Sequence, residues 1–211
     1  MHKVIDDLNW RYATKKFDAN KTLPTNTVEV IKESLRLTPT SYGLQPLKFL
    51  IIENDAIRNQ LREASYNQNQ VVDASLLIVI CSNLDVASVD IENYMGNIRD
   101  TRELSPESTK GFESSLKMSV ASLSSEEVKQ WNSKQAYIAL GQLLHTCATL
   151  HVDALPMEGF EADKYDQILK LESKNLTTTL VCPVGYRSQD DEAQHRKKVR
   201  KSISDIIEVI S

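Results

Sequence analysis

Between Lys134 and Leu150 the chain places Ala136, Tyr137, Ala139, Leu140, Leu143, Leu144, Cys147 and Leu150, an apolar set that covers nearly the whole circumference of a helix. Tyr137, Leu140, Leu144 and Cys147 fall on one stripe, and the others cover the remaining faces. Such a helix cannot leave one side in water, because each exposed aliphatic side chain forfeits roughly 1.5–3 kcal/mol of transfer free energy. It must lie centrally in the fold or in a contact between subunits, and in a chain of 211 residues that points to an oligomer.

The segments around it supply material for a sheet. Leu47-Lys-Phe-Leu-Ile-Ile52 and Leu76-Leu-Ile-Val-Ile-Cys81 are short, apolar and rich in β-branched residues, the pattern of buried strands. Thr177 to Cys182 reads as a third strand, closed by Pro183 and Gly185. An early helix is marked by Val28, Ile31, Leu35 and Leu37, started by Pro24-Thr25 and ended by Thr38-Pro39, since a residue before proline is pushed out of the α region. Asp55 to Ala64 reads as a short helix, and Ser88 to Glu127 as polar, irregular, exposed helices joined by turns. In the tail, Ile203, Ile206, Ile207 and Ile210 fit a helical stripe, yet Ile206 to Ile210 is equally a β-branched strand, and periodicity alone does not separate the two. No repeat or Pro/Gly/Ser-rich linker divides the chain, so residues 1–211 read as one domain.

Charge and composition exclude several functions. A net charge of −4 gives no general attraction to nucleic acid or to an anionic membrane. The longest apolar run, Leu76 to Cys81, is too short to span a bilayer, and the first twenty residues carry no signal-peptide core. Cys81, Cys147 and Cys182 are widely spaced in apolar surroundings and read as reduced core thiols of a cytoplasmic protein. Four scattered histidines offer no metal-ligand spacing, and no P-loop, GxGxxG or GxSxG sequence is present.

What remains is a set of basic and loop motifs: Arg11-Tyr-Ala-Thr-Lys-Lys-Phe17, Thr38-Pro-Thr-Ser-Tyr-Gly-Leu-Gln-Pro46, Pro156-Met-Glu-Gly-Phe160 and His195-Arg-Lys-Lys-Val-Arg-Lys201. Singly, each is more simply a solvated basic face or a turn. In this order and spacing they resemble the FMN-dependent nitroreductase family, the oxygen-insensitive NAD(P)H nitroreductases and dihydropteridine reductases. The family's opening R-(H/Y/R)-S-x-(R/K)-x-F corresponds to residues 11–17 and its P-S-S-x-x-x-Q-P loop to 39–46. Its (P/C)-(I/M)-(E/G)-G-(F/Y) loop corresponds to 156–160, and its closing K-x-R to Lys198-Val-Arg200.

The resemblance implies an α+β fold: a central, mostly antiparallel sheet flanked by helices, with a C-terminal arm exchanged between the subunits of a homodimer. On that reading Ser202 to Ile210 crosses to the partner as a strand. It implies FMN as cofactor and NADH or NADPH as electron donor. Arg11, Lys198 and Arg200 would clamp the FMN phosphate, with main-chain contacts from Tyr12 and Ala13. Lys15 would stand at the edge of the flavin ring where negative charge collects on reduction, with Asn67 and Gln70 on the pyrimidine edge. Pro156 and the backbone of Glu158 and Gly159 would meet N5 and O4, and Pro39, Thr40, Ser41 and Gly43 would come from the partner. No catalytic side chain is implied, because flavin N5 carries the chemistry. Two departures stand out: Ala13 lacks the hydroxyl of the family's serine, and Gln70 replaces a lysine with a neutral amide. The implied activity is ping-pong hydride transfer to a small-molecule acceptor, a nitroaromatic or quinone. A dihydropteridine or flavin reductase and a non-catalytic FMN-storage protein are the alternatives.

Overall fold

The computed structural model describes residues 2–210; the ends of the 1–211 assignment, Met1 and Ser211, lie outside the described residues. Its elements run α1 (Lys3–Trp10), α2 (Thr25–Arg36), β1 (Leu47–Ile52), α3 (Asp55–Glu63), α4 (Gln70–Asp73), β2 (Leu76–Asn83), α5 (Ser88–Arg102), α6 (Pro106–Ala121), α7 (Ser125–Thr149), β3 (Asp153–Ala154), α8 (Ala162–Leu169), β4 (Leu176–Gly185) and α9 (Ile203–Ile206). This is the α+β architecture expected: four strands in the order β1-β2-β4-β3, every pair antiparallel.

β2 explains its own continuous apolar sequence. Successive side chains of a strand point to opposite faces, and here both faces are covered. Leu77, Val79 and Cys81 pack with Phe17, Leu61 of α3, Tyr165 of α8 and Val181. Ile78 and Ile80 pack on the other side with Ile31 and Leu35 of α2 and Ala136, Leu140, Leu143 and Cys147 of α7. The result is three layers with the sheet in the middle. All three cysteines are buried and free, and burial pushes the thiols of Cys81 and Cys147 up to about 12. Among the described residues no helix is long and apolar enough to cross a membrane.

Four expectations need correction. β4 continues to Gly185 instead of ending at Cys182. Proline is tolerated inside it because a residue's C=O and N–H point to the same side of a strand. The Pro183 carbonyl accepts from Leu155, just past the two-residue β3, so the missing donor faces the place where the ladder stops. The central helix begins at Ser125, not Lys134; its first turns are polar, but Ser124 and Glu127 form a reciprocal capping box. The polar stretch after Ser88 is two regular helices with their own small core of Ile91, Met95, Ile98, Leu116 and Val120. The tail forms the short helix α9 and no strand among the described residues.

The central helix is not buried on every side either. Ala136, Ala139, Leu143 and Cys147 are sealed in the core, while Tyr137 and Ile138 remain 46% and 45% exposed. These two apolar side chains of α7 are left in water by the single chain.

Candidate functional site

The Arg11–Phe17 motif is held as an extended ribbon along the sheet edge. Ala13 bridges Ala154 in parallel, Phe17 bridges Arg187, and the buried carboxylate of Asp153 anchors Arg187 through its backbone N–H (2.9 Å) and Nε (2.8 Å). The Arg187 guanidinium lies 4.2 Å from the ring centre of Trp10 and 4.5 Å from that of Tyr12, a double cation–π contact that fixes both aromatic rings.

Beyond β4 the chain returns to this ribbon and brings its basic residues with it. The Lys198 ammonium donates to the carbonyl of Leu8 at 2.7 Å and also to that of Arg11. A concavity of about 340 Å³ opens here, lined by Arg11, Arg196, Lys197, Lys198 and Arg200 and by no carboxylate. The crowding is visible in the titration of its walls. Burial and the neighbouring Arg200 lower the pKa of Arg11, while burial, Arg11 and Arg200 lower that of Lys198. Two segments more than 180 residues apart are thus folded into one positive concavity without a carboxylate wall, an arrangement whose chemistry suits an anion.

Next to it lies a second group of predicted residues. Gln70, at the start of α4, donates to the Lys15 carbonyl at 2.8 Å, while the Lys15 N–H is held by Asp191, so the backbone of this exposed lysine is fixed on both sides. Asn67 sits in the left-handed conformation (φ 57°), which asparagine tolerates better than most residues. This turn sends Gln68 across to donate to the Gly159 carbonyl at 2.9 Å. In the same loop the Glu158 carboxylate accepts from the Tyr137 hydroxyl of α7 at 2.6 Å, a bond that raises the tyrosine's pKa. Pro156 and Gly159 follow β3 in the chain, and between them Met157 bridges Val181 of β4.

The Pro39–Gly43 loop is anchored elsewhere. Ser41 N–H donates to the Gln135 side chain of α7 (2.8 Å), Tyr94 of α5 donates to the Tyr42 carbonyl (2.6 Å), and the Tyr42 ring meets that of Trp131. Among the described residues no hydrogen bond or ion pair joins Pro39, Thr40, Ser41 or Gly43 to the basic concavity.

Four residues of this constellation had no signal in the sequence reading: Asp153, Arg187, Asp191 and Trp10. Each acts through a contact distant in sequence, and an isolated aspartate or arginine carries no motif.

Fold and site together define a three-layer α+β protein with a cluster of cations beside one edge of the sheet. Its sequence matches the model of the Nitroreductase family over residues 8–186. It is 32% identical over 213 aligned positions to a protein of Staphylococcus saprophyticus provisionally named as an NAD(P)H nitroreductase, covering 97% of this chain and 95% of that protein. The chain belongs to the nitroreductase family. Two solved structures have the same fold at low identity. A Bacillus subtilis protein provisionally titled nitroreductase ydfN aligns with a TM-score of 0.87 at 16% identity, over 98% of each chain. An Exiguobacterium sibiricum protein, provisionally titled a nitroreductase in complex with FMN, aligns with a TM-score of 0.82 at 18% identity, over 98% of this chain and 97% of that one.

Proposed function

We propose that this chain is an FMN-dependent NAD(P)H oxidoreductase of the cytoplasm, working as a homodimer with one FMN-binding domain per chain. The observation that carries the reading is the concavity at Arg11, Lys198 and Arg200, whose cations have no carboxylate among its walls. A dianionic phosphate is the ligand such a wall fits. FMN, when bound, supplies hydride chemistry between NAD(P)H and a second substrate such as a nitroaromatic or quinone.

The protein's part is to bind and orient. Arg11, Lys198 and Arg200 neutralise the phosphate, and the backbone at Tyr12 and Ala13 borders it. Lys15 would bring a positive charge to the ring edge and so favour the reduced, more negative flavin. Asn67 and Gln70 face the pyrimidine side, with Gln70 acting through its bond to the Lys15 carbonyl as much as through any ligand contact. Pro156, Glu158 and Gly159 present main chain to the ring, and Tyr137 holds the Glu158 carboxylate in one direction. Pro39, Thr40, Ser41 and Gly43 complete the partner's site; their anchoring to α5 and α7, away from the basic concavity of their own chain, supports that assignment.

The purified protein is expected to be yellow, with one FMN per subunit, and to be bleached by anaerobic NADH or NADPH. Arg200→Ala should weaken FMN by roughly 1.5–3 kcal/mol, the scale of a charge-assisted hydrogen bond. Wild-type protein that stays colourless after incubation with excess FMN and desalting would overturn the reading.

A further inference from the structure

The two segments that carry the clamp cations repel each other, so something must hold them at the spacing a phosphate needs. We propose that Asp191 is the positioning residue of the phosphate clamp: its carboxylate locks the ribbon bearing Arg11 to the turn that leads to Lys198 and Arg200. The proposal rests on the reading of the concavity as the FMN phosphate site.

Asp191 is 3% exposed, and both carboxylate oxygens are used. Oδ2 accepts from the Tyr12 hydroxyl (2.9 Å), from Lys15 N–H (2.7 Å) and from Lys16 N–H (3.1 Å). Oδ1 accepts from Ala193 N–H (3.0 Å), capping the turn Glu192–His195. One side chain therefore grips the first motif on both sides of Ala13 and starts the return of the C-terminal segment. The Lys198 ammonium closes the opposite side of this junction through the carbonyls of Leu8 and Arg11.

The chemistry of the lock matters as much as its place. Burial pushes the Asp191 carboxyl up, but its donors, led by Lys15 N–H and the Tyr12 hydroxyl, outweigh that and leave the pKa below the ordinary carboxylate value. Its donors are all neutral, so the carboxylate is stabilised without drawing on a clamp cation. No ion pair joins it to Arg11, Lys198 or Arg200 among the described residues, so the clamp is aligned without being neutralised. Had Arg11, Lys198 or Arg200 been its partner instead, that cation's charge would have been offset and its pull on the phosphate weakened.

Riboflavin shares the flavin ring but lacks the phosphate, which separates positioning of the clamp from general support of the site. The test measures dissociation constants of FMN and riboflavin for the deflavinated full chain, by quenching of flavin fluorescence, in wild type, Asp191→Ala and Asp191→Asn. Asp191→Ala should weaken FMN about tenfold or more and riboflavin less than about threefold, so the preference for FMN shrinks. Asp191→Asn should fall between, because a carboxamide keeps one acceptor and turns an NH₂ toward donors. If Asp191→Ala does not fold, Asp191→Asn decides. A preference for FMN that survives unchanged in Asp191→Asn, or equal weakening of both flavins, overturns the positioning role alone. A wild type that binds riboflavin as tightly as FMN overturns the phosphate reading itself, and the positioning role with it.

Discussion

Lys198 shows how a single residue is tuned by its neighbours. It is partly buried, with Arg11 and Arg200 beside it, so burial first and then the two guanidinium groups lower its pKa from the ordinary lysine value. A bound dianion reverses the balance by favouring the charged ammonium. FMN affinity should therefore fall as pH rises through the depressed Lys198 value, earlier than an ordinary lysine near about 10.4 would allow. The Lys198→Arg variant, whose guanidinium stays protonated, should lose this alkaline limb while binding more weakly at neutral pH, because the two carbonyl contacts suit an ammonium. Titration of FMN binding between about pH 7 and 10 checks both parts. The lysine was legible in the sequence as half of a K-x-R motif; its depressed pKa was not, since that depends on Arg11, far away in the chain.

Among the elements, the loop from Thr38 to Pro46 carries the most backbone constraint. Tyr42, Gly43 and Gln45 all have positive φ, and Gly43 lies at 79° with the Tyr94 hydroxyl where a Cβ would stand. Gly43→Ala should cost about 1–2 kcal/mol in left-handed strain, plus about 1 kcal/mol if the Tyr94–Tyr42 bond is displaced. In a Tyr94→Phe background the second part should vanish, so the two substitutions should be non-additive in urea unfolding. Equal costs in both backgrounds would remove Tyr94 from the account. The loop's composition announced a turn, but its attachment to α5 and α7 required the helices to be placed. The same limit explains the misread boundaries. The polar first turns of α7 hide a helix that a capping box of Ser124 and Glu127 starts, and α6 begins at the Ser105 cap with Pro106 in its first turn, inside a stretch whose polarity suggested irregularity.

For the whole molecule, the question is what covers the apolar surface left by one chain. Tyr137 and Ile138 of α7, Val4, Ile5 and Leu8 of α1, and Ile203, Ile206, Ile207, Val209 and Ile210 of the tail all stand in water. Val209 and Ile210 are 86% and 92% exposed, and no strand pairing ties the tail to the body among the described residues. Burying each such side chain against a second copy is worth up to roughly 1.5–3 kcal/mol before the cost of ordering the tail. If the chain forms the proposed homodimer through this arm, deletion from Ser202 onward should loosen self-association in sedimentation equilibrium and raise the dissociation constant of FMN together. A truncated protein with unchanged association and flavin affinity would show that the tail is not the arm.

The sequence by itself determined where the strands β1, β2 and β4 run, that α7 is a helix with a buried face, and the four motifs, because alternation, apolar content and local spacing are properties of neighbouring residues. It also carried the cations Arg11, Lys198 and Arg200, though only as charges. Tertiary structure decided that these charges meet in one concavity without a carboxylate, that Asp191 and Lys198 fasten the two ends of the chain together, and that Gln70 turns to the Lys15 carbonyl. Each of those facts joins residues between 55 and 190 positions apart. The physical reason is that electrostatic and hydrogen-bond energies depend on distance in space, and no periodicity along the chain encodes which distant donor will arrive at a given acceptor.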